Sequence, residues 1–250
     1  MEITKVWALY YSATGTTDKA VNTIAEELAA QLTLPIERLS FTRPAERTGT
    51  HLFTAEDLVV VGSPTYAGRL PNKIAPDFRS GLRGEGTPAV PVVLFGNRSY
   101  DNALAELWSV LMNNGFHPVA AGAFVGRHAF TDKLGEGRPD WDDKRQMRQF
   151  AAQIAGKLRS GRGETVAVPG VPDAPYYIPK GVDGARLPSL PRWARASASI
   201  SVRSALNEAK FQGQTLLLSA EDGYSPSSAN SEKTHRRCSE KAFCVFFVRS

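Results

Sequence analysis

The chain has 250 residues, 42% of them hydrophobic and 22% charged, which is the composition of a soluble globular protein with one or two domains. No apolar run approaches the roughly 18 residues that a membrane-spanning helix requires. The amino terminus also has no signal-peptide pattern, so we expect a cytoplasmic protein. The two cysteines, Cys238 and Cys244, exclude a disulfide framework over the rest of the chain. They are also too few for a zinc or iron–sulfur site.

The formal net charge of +5 is unevenly distributed. Residues 1–161 carry 18 Lys and Arg against 17 Asp and Glu, a net charge of only +1, and the remaining excess lies in the tail. The tail has no basic stripe interleaved with aromatic residues, the pattern typical of nucleic-acid binding. We therefore expect no nucleic-acid partner.

Strand-like and helix-like patterns alternate along the first 160 residues. Short apolar runs predict strands at Lys5–Tyr11, Ile36–Ser40, Leu58–Gly62, Ala89–Phe95 and Val119–Val125. Helical spacing predicts helices at Thr17–Leu32, weakly within 72–83, at Asp101–Asn114, and from Asp142 or Asp143 onward. Asp101 is the expected cap of the third helix, and Gly115 its end. This alternation predicts a parallel sheet covered on both faces, without fixing the strand order.

The sequence changes character after residue 161. Residues 162–192 are rich in proline and glycine, which predicts an extended linker or a wrapping arm. Residues 193–250 form a serine-rich tail for which the sequence predicts no definite structure. We therefore divide the chain into a domain over 1–161, a linker or arm over 162–192, and a tail over 193–250.

The loop after the first predicted strand has the chemistry of a phosphate site. It combines small hydroxyl side chains with one glycine and leads directly into a helix, whose free N–H groups and dipole favour an anion. A capped helix start without a ligand would show the same residues. The candidate phosphate-binding residues are Ser12, Ala13, Thr14, Gly15, Thr16 and Thr17.

Two further loops deliver tyrosines to the same edge of the predicted sheet. Tyr66 follows the third strand, and Tyr100 follows the fourth, each in a loop shaped by glycine. A tyrosine ring can stack on a planar ligand, although each loop alone also fits an ordinary surface turn. The candidate ring-binding residues are Pro64, Thr65, Tyr66, Ala67, Gly68, Gly96, Asn97, Arg98, Tyr100 and Asp101.

Together the three loops suit a ligand with one phosphate and one flat ring, a description that fits flavin mononucleotide (FMN). Other ligands of such sheets need residues that the chain lacks. A nucleotide P-loop needs G-x-x-x-x-G-K-[ST], and a dinucleotide fingerprint needs G-x-G-x-x-G. A phospho-receiver needs acidic residues at the end of the first strand, where this chain has Tyr10 and Tyr11.

These residues resemble the flavodoxin superfamily, and most closely the ferredoxin-fused flavodoxin-like proteins of anaerobic bacteria. Residues 12–17 match the phosphate loop T/S-x-T-G-x-T, 62–71 match G-x-P-x-Y-x-G-R-x-P, and 96–104 match G-N-R-x-Y-x-x-A-L. The resemblance covers roughly residues 3–180. It implies a flavodoxin-like, doubly wound, five-stranded parallel sheet of order 2-1-3-4-5, bound FMN and electron transfer, followed here by a poorly structured C-terminal extension.

The resemblance ends at the C-terminus, where that family has two cysteine runs for iron–sulfur clusters. This chain has neither run, so the clusters are not expected. A shifted reading frame after about residue 185 or a lineage-specific tail would explain the difference. The functional expectation is an FMN-binding electron-transfer protein with a redox protein or a small-molecule electron acceptor as partner. Two alternatives stay open: an FMN-dependent oxidoreductase acting on a quinone- or porphyrinogen-like molecule, and a flavodoxin-fold binding module without cofactor.

Overall fold

A computed structural model describes residues 2–96, 99–129, 134–176 and 178, together with the backbone of a strand at 243–246. The chain divides into two units, residues 1–177 with 238–250, and residues 178–237. Only Ile178 of the second unit is described, so the following concerns the first unit. Apart from the strand backbone, the predicted serine-rich tail lies outside the described residues.

Strands and helices alternate through the first unit much as the sequence predicts. The described strands are β1 (Lys5–Tyr10), β2 (Ile36–Ser40), β3 (His51–Phe53), β4 (Asp57–Pro64), β5 (Leu82–Gly84), β6 (Thr87–Phe95), β7 (Phe116–Pro118), β8 (Ala121–Val125) and β9 (Phe243–Phe246). The described α-helices are α1 (Thr16–Leu32), α2 (Ala75–Gly81), α3 (Ala103–Asn113) and α4 (Trp141–Arg159).

The main sheet has the predicted topology. Its long parallel strands lie in the order β2-β1-β4-β6-β8, which is 2-1-3-4-5 when only the five predicted strands are counted. Helices α1 and α4 pack on one face of the sheet, and α2 and α3 pack on the other. Each face has its own apolar core. The fold is therefore flavodoxin-like and doubly wound. The backbone of β9 adds an antiparallel strand beside β8.

Two helix starts differ from the sequence prediction. Helix α3 begins after Asn102 rather than at Asp101, because Asp101 takes a φ of +41°, which is outside the helical region. Helix α4 begins at Trp141, one or two residues earlier than expected, since the Asp140 side chain accepts the Asp143 N–H and forms a capping box. The strands β3, β5 and β7 have three residues each, too few for a periodic pattern to reveal.

Residues 163–176, which we call the strap, lie along α3. At one end the ring of His117 contacts the Gly163 carbonyl (2.5 Å). Val166 is buried, and its N–H donates to the Pro118 carbonyl (2.9 Å), while its carbonyl accepts from Nε1 of Trp108 (2.8 Å). The division at residues 161 and 192 stays a prediction. No helix in the described part of the chain is long and apolar enough to cross a membrane.

Candidate functional site

The loops that follow β1, β4, β6 and β8 come together at the carboxyl edge of the sheet. The Asn102 N–H donates to the Gly68 carbonyl (2.9 Å) and thereby joins the β6 loop to the β4 loop. The Gly126 N–H donates to the Phe95 carbonyl (2.9 Å), joining β8 to β6. Gly126 also lies against the β1 loop, since a β-carbon there would be 2.6 Å from Cγ2 of Thr16. This is the edge where open α/β sheets bind ligands.

The phosphate loop, residues 12–17, is held by neutral groups. Oγ of Ser12 accepts the Asp18 N–H (3.0 Å), and the Ser12 N–H donates to Oγ1 of Thr42 (3.2 Å). The Ser12 hydroxyl therefore stabilises the helix start, while its own hydrogen stays available as a donor. Gly15 is the N-cap residue of α1 with a φ of +77°, which favours glycine. Because Gly15 has no side chain, the Ser12 hydroxyl accepts the N–H of the third helical residue in its place.

The amide N–H groups of residues 13–17 are the notable feature of this loop. Among the described residues none of them has a hydrogen-bond acceptor. Ala13 and Thr14 are exposed, and a β-carbon at Gly15 would have no atom within 4 Å, so open space adjoins the loop. Unbonded N–H groups at the positive end of a helix dipole form a site for an anion.

The Tyr66 turn, residues 66–69, follows β4. The backbones of Tyr66 and Arg69 exchange two hydrogen bonds (2.9 and 3.1 Å) around Ala67 and Gly68. Both central residues have positive φ, +49° and +76°, as in a type I′ turn. Before the turn, β4 ends at Pro64, and the Thr65 hydroxyl is buried without a hydrogen-bond partner among the described residues.

The tyrosine of this turn is largely withdrawn from water. Burial, and to a smaller degree the neighbouring Tyr11, raise the pKa of the Tyr66 hydroxyl to about 12. Tyr11 directly precedes the phosphate loop, so the first and second predicted loops are neighbours here. At neutral pH the Tyr66 hydroxyl therefore stays protonated and uncharged.

The Tyr100 loop, residues 96–101, follows β6. The ring of Tyr100 packs on Phe95 with centroids 5.6 Å apart, and the Asp101 N–H donates to Oγ of Ser99 (3.0 Å). The Asp101 side chain lies against Gly68, where a β-carbon would clash with it. The predicted residues Asn97 and Arg98 lie outside the described residues.

The loop after β8, with Arg127 and His128, completes the edge, as expected for residues that follow the fifth predicted strand. A β-carbon at Gly96 would be 2.9 Å from Cα of His128, so the β8 loop and the Tyr100 loop are in close contact. The glycine at 126 allows the same loop to approach the phosphate loop. Among the described residues, no group of three or more His, Cys, Asp or Glu side chains could hold a metal ion.

A buried carboxylate anchors the Tyr66 turn. Glu106, which is 1% exposed, accepts from Nε of Arg69 (2.9 Å) and from the Leu70 N–H (3.0 Å) with Oε2. Its Oε1 accepts from Arg79 (2.8 Å) and from the Tyr176 hydroxyl (2.7 Å). Burial alone would raise the pKa of Glu106, but the hydrogen bonds from Arg69, Tyr176 and Leu70 outweigh it, and the pKa lies below its usual value.

The sequence analysis did not identify this network. One signal was present: Glu106 stands among Leu104 and Leu107 on the apolar face of α3, where a charge requires a buried partner. Arg69, in the glycine- and proline-rich loop, was the available cation. Nothing in the sequence indicated that Tyr176, 70 positions further along, would share the same carboxylate.

No protein-family model matches the chain, and no curated protein matches it. Among solved structures, rubredoxin oxygen:oxidoreductase from Desulfovibrio gigas is 19% identical over 64% of this chain and 37% of its own length, with a TM-score of 0.44. The chain thus spans little more than a third of that protein. A Streptococcus pneumoniae TIGR4 flavodoxin is 19% identical over 61% of this chain and 99% of its own (TM-score 0.43). Flavodoxin 2 from Bacillus cereus is 15% identical over 62% and 99% (TM-score 0.44).

Proposed function

We propose that this chain is an FMN-binding flavoprotein that transfers electrons to or from a redox protein or a small-molecule acceptor. The observation that carries the proposal is the set of N–H groups at residues 13–17 that find no acceptor in the described part of the chain, on the sheet edge that also holds Tyr66 and Tyr100. A phosphate and an aromatic ring system in one ligand would use both features.

The phosphate loop supplies binding without a basic side chain. The five backbone N–H groups and the hydroxyls of Thr14 and Thr16, which lie 3.3 Å apart, are the donors for the phosphate of FMN. The dipole of α1 adds a favourable field for a dianion at this end of the helix. Hydrogen bonds to a charged acceptor are worth about 1.5–3 kcal/mol each, so a few of them suffice to anchor a nucleotide.

The ring side of the site fits a heterocycle with a polar edge. The hydroxyl of Thr65, directly before Tyr66, is buried without a hydrogen-bond partner among the described residues. It can therefore donate a hydrogen bond to a ligand or accept one from it. Tyr66 and Tyr100 are half-buried, so each offers ring surface together with a hydroxyl. We assign the backbone of Thr65 to Gly68, with Gly96, to the polar edge of the ring, and the two tyrosines to its faces.

When bound, FMN supplies the ability to take up and release electrons. The contribution of the chain is to bind, orient and shield it. The Tyr66 hydroxyl holds its proton at Oη at neutral pH, because its pKa lies near 12, and so adds no negative charge beside the ring. A half-buried surround disfavours extra negative charge on the ring and so affects the reduction potential.

The test is an absorption spectrum of the purified full-length protein, followed by titration of the flavin-free protein with FMN and with riboflavin. We expect a yellow protein that binds FMN at least ~10-fold more tightly than riboflavin, since loss of one charge-assisted hydrogen bond already costs about that factor. Riboflavin is the matched control, because it has the same ring and lacks the phosphate. Equal affinity for the two ligands would contradict the assignment of the phosphate loop.

Stepwise reduction of the bound flavin then separates the proposal from its alternatives. Uptake of electrons one at a time supports an electron carrier. Reduction only in pairs, with turnover of a quinone by NAD(P)H, would favour the small-molecule oxidoreductase. Failure to bind any flavin would leave a flavodoxin-fold binding module and would overturn the proposed function.

A further inference from the structure

The Tyr66 turn has a strained backbone conformation that needs support from the surrounding contacts. Ala67 has a φ of +49°, a region that costs an L-residue roughly 1–2 kcal/mol, and Gly68 follows with +76°. Two backbone hydrogen bonds between Tyr66 and Arg69 close the turn. Such strained conformations persist where surrounding contacts hold them in place, so the contacts of the turn are informative.

The strap holds the Arg69 side chain. Nη2 of Arg69 donates to the Pro172 carbonyl (2.7 Å), which is 103 positions further along the chain. The ring of Tyr176 lies 4.7 Å from the guanidinium carbon, and its hydroxyl donates to Glu106. The Arg69 side chain is only 5% exposed, so the carboxylate and the strap together enclose it.

A second bridge joins the strap to the turn through a single residue. Asn102 donates its backbone N–H to the Gly68 carbonyl (2.9 Å) and accepts the Val171 N–H with Oδ1 (2.8 Å). The strap approaches closely here because Gly170 has no side chain: a β-carbon would lie 3.1 Å from Oδ1 of Asn102. Gly68, through Asn102, and Arg69, through Pro172 and Tyr176, thus tie the turn to the strap at two points.

We propose that the strap positions the Tyr66 turn, and that Asn102, Glu106 and Tyr176 are positioning residues for the flavin ring. This inference rests on the proposed function above. Loosening the strap allows the turn to leave its strained conformation, so affinity for the ring falls. Because the phosphate loop is held by a separate set of contacts, FMN and riboflavin should lose affinity by the same factor.

The experiment compares Asn102→Ala with Asn102→Asp in the full-length protein. Alanine removes the acceptor for the Val171 N–H, whereas aspartate keeps it, and both keep the backbone bond to Gly68. We expect amide hydrogen exchange in residues 66–70, and the Kd for both flavins, to rise about fivefold in the alanine variant, the equivalent of one hydrogen bond. The aspartate variant should stay within about twofold of the native protein.

Trp108→Phe is the matched control, because it removes a strap hydrogen bond of the same kind at Val166, away from the turn. Its exchange should rise around residue 166 and not in 66–70. Tyr176→Phe loses only the hydroxyl that donates to Glu106, and it is a second way to loosen the strap where the strap contacts the Tyr66 turn. Its hydrogen exchange in residues 66–70 and its Kd for both flavins should change as in Asn102→Ala.

Unchanged exchange in residues 66–70 of Asn102→Ala, or an equal rise in Trp108→Phe, would overturn the inference and make the strap a packing element only. If the exchange rises as expected but the native protein binds no flavin, the coupling between strap and turn stands and the proposed function falls. The hydrogen-exchange measurement needs no bound ligand, so the two failures are distinguishable.

Discussion

The phosphate loop and the Tyr66 turn lie on the same edge of the sheet and are built in opposite ways. The described contacts of the phosphate loop are neutral, and its N–H groups at residues 13–17 are left without acceptors in the described structure. The Tyr66 turn is held by a buried carboxylate with two arginines, at sequence separations of 37 and 27 positions. One region leaves its N–H groups open, and the other is enclosed around a buried charge.

The difference shows that ligand affinity in the phosphate loop and stability of the Tyr66 turn depend on separate groups of residues. Donors aimed at an anion work best when nothing else satisfies them, so a phosphate loop should stay free of internal partners. A turn with a strained alanine needs external support, which the Glu106 network provides. We therefore expect a charge placed in the loop to act mainly on phosphate affinity, and loss of the Glu106 carboxylate to act mainly on stability.

The largest effect should come from Glu106→Ala. Removing the carboxylate leaves Arg69 buried without its ion-pair partner, which typically costs about 3–5 kcal/mol of the free energy of unfolding. The matched control is Glu26→Ala, because Glu26 pairs with Arg38 on the surface, where such pairs contribute about 0–1 kcal/mol. Urea denaturation measures both. Equal losses in the two variants would show that the network does not support the turn.

A charge in the phosphate loop should have the next largest effect. In Thr14→Glu the new carboxylate repels the phosphate of FMN by about 1–2 kcal/mol at a partly solvated distance, so the Kd for FMN should rise roughly 5- to 30-fold. The Kd for riboflavin should change less than twofold. Gln31→Glu adds the same charge at the exposed far end of α1 and is the control. A similar loss of FMN affinity in both variants would contradict a local phosphate site.

A smaller effect is expected for Gly15→Ala. Gly15 has a φ of +77° with open space around it, so alanine introduces backbone strain of about 1–2 kcal/mol without a clash. Gly86→Ala introduces the same strain at a φ of +72°, also without a neighbour within 4 Å, in the turn before β6. Thermal unfolding should show similar losses of stability, while FMN titration should show a several-fold loss of affinity only for Gly15→Ala.

The sequence predicted the local features of this protein well. The places of the five long strands, the helix after the phosphate loop and the end of α3 at Gly115 follow from apolar spacing, glycines and turn residues. The strand order came instead from the resemblance to the flavodoxin superfamily, and the sheet confirms it. The same local chemistry identified the loops that follow β1, β4 and β6. Whether their residues bind FMN stays a prediction, and Asn97 and Arg98 lie outside the described residues.

Features that depend on distant residues could not be predicted in the same way. The strap contacts and the shared carboxylate join positions 27 to 103 residues apart, and no periodic pattern encodes such a pairing. The cap of α4 was displaced for a related reason: three aspartates stand close together, and only the backbone geometry selects Asp140. Local rules thus located the loops, while tertiary contacts determine how rigidly each is held.

The smallest effect is the pH dependence that distinguishes the two regions. The pKa of Glu106 lies below its usual value of 4.5, so the folded state binds its proton less readily than the unfolded state does. This contribution to stability is therefore present above about pH 4.5 and is lost as the pH falls through the lower, folded-state pKa. The pKa of Asp143 is also lowered, so its contribution to the stability of the protein is lost in the same acidic range.

The experiment therefore compares the native protein with Glu106→Gln, by urea denaturation at several pH values. We expect the native protein to lose more of its free energy of unfolding on acidification than the glutamine variant does. Thr14→Ala, a change in the phosphate loop, should keep the native pH profile, since that loop is held by uncharged groups. Parallel profiles for the native protein and Glu106→Gln would mean that the carboxylate is not held as an anion by the Tyr66 turn and the strap.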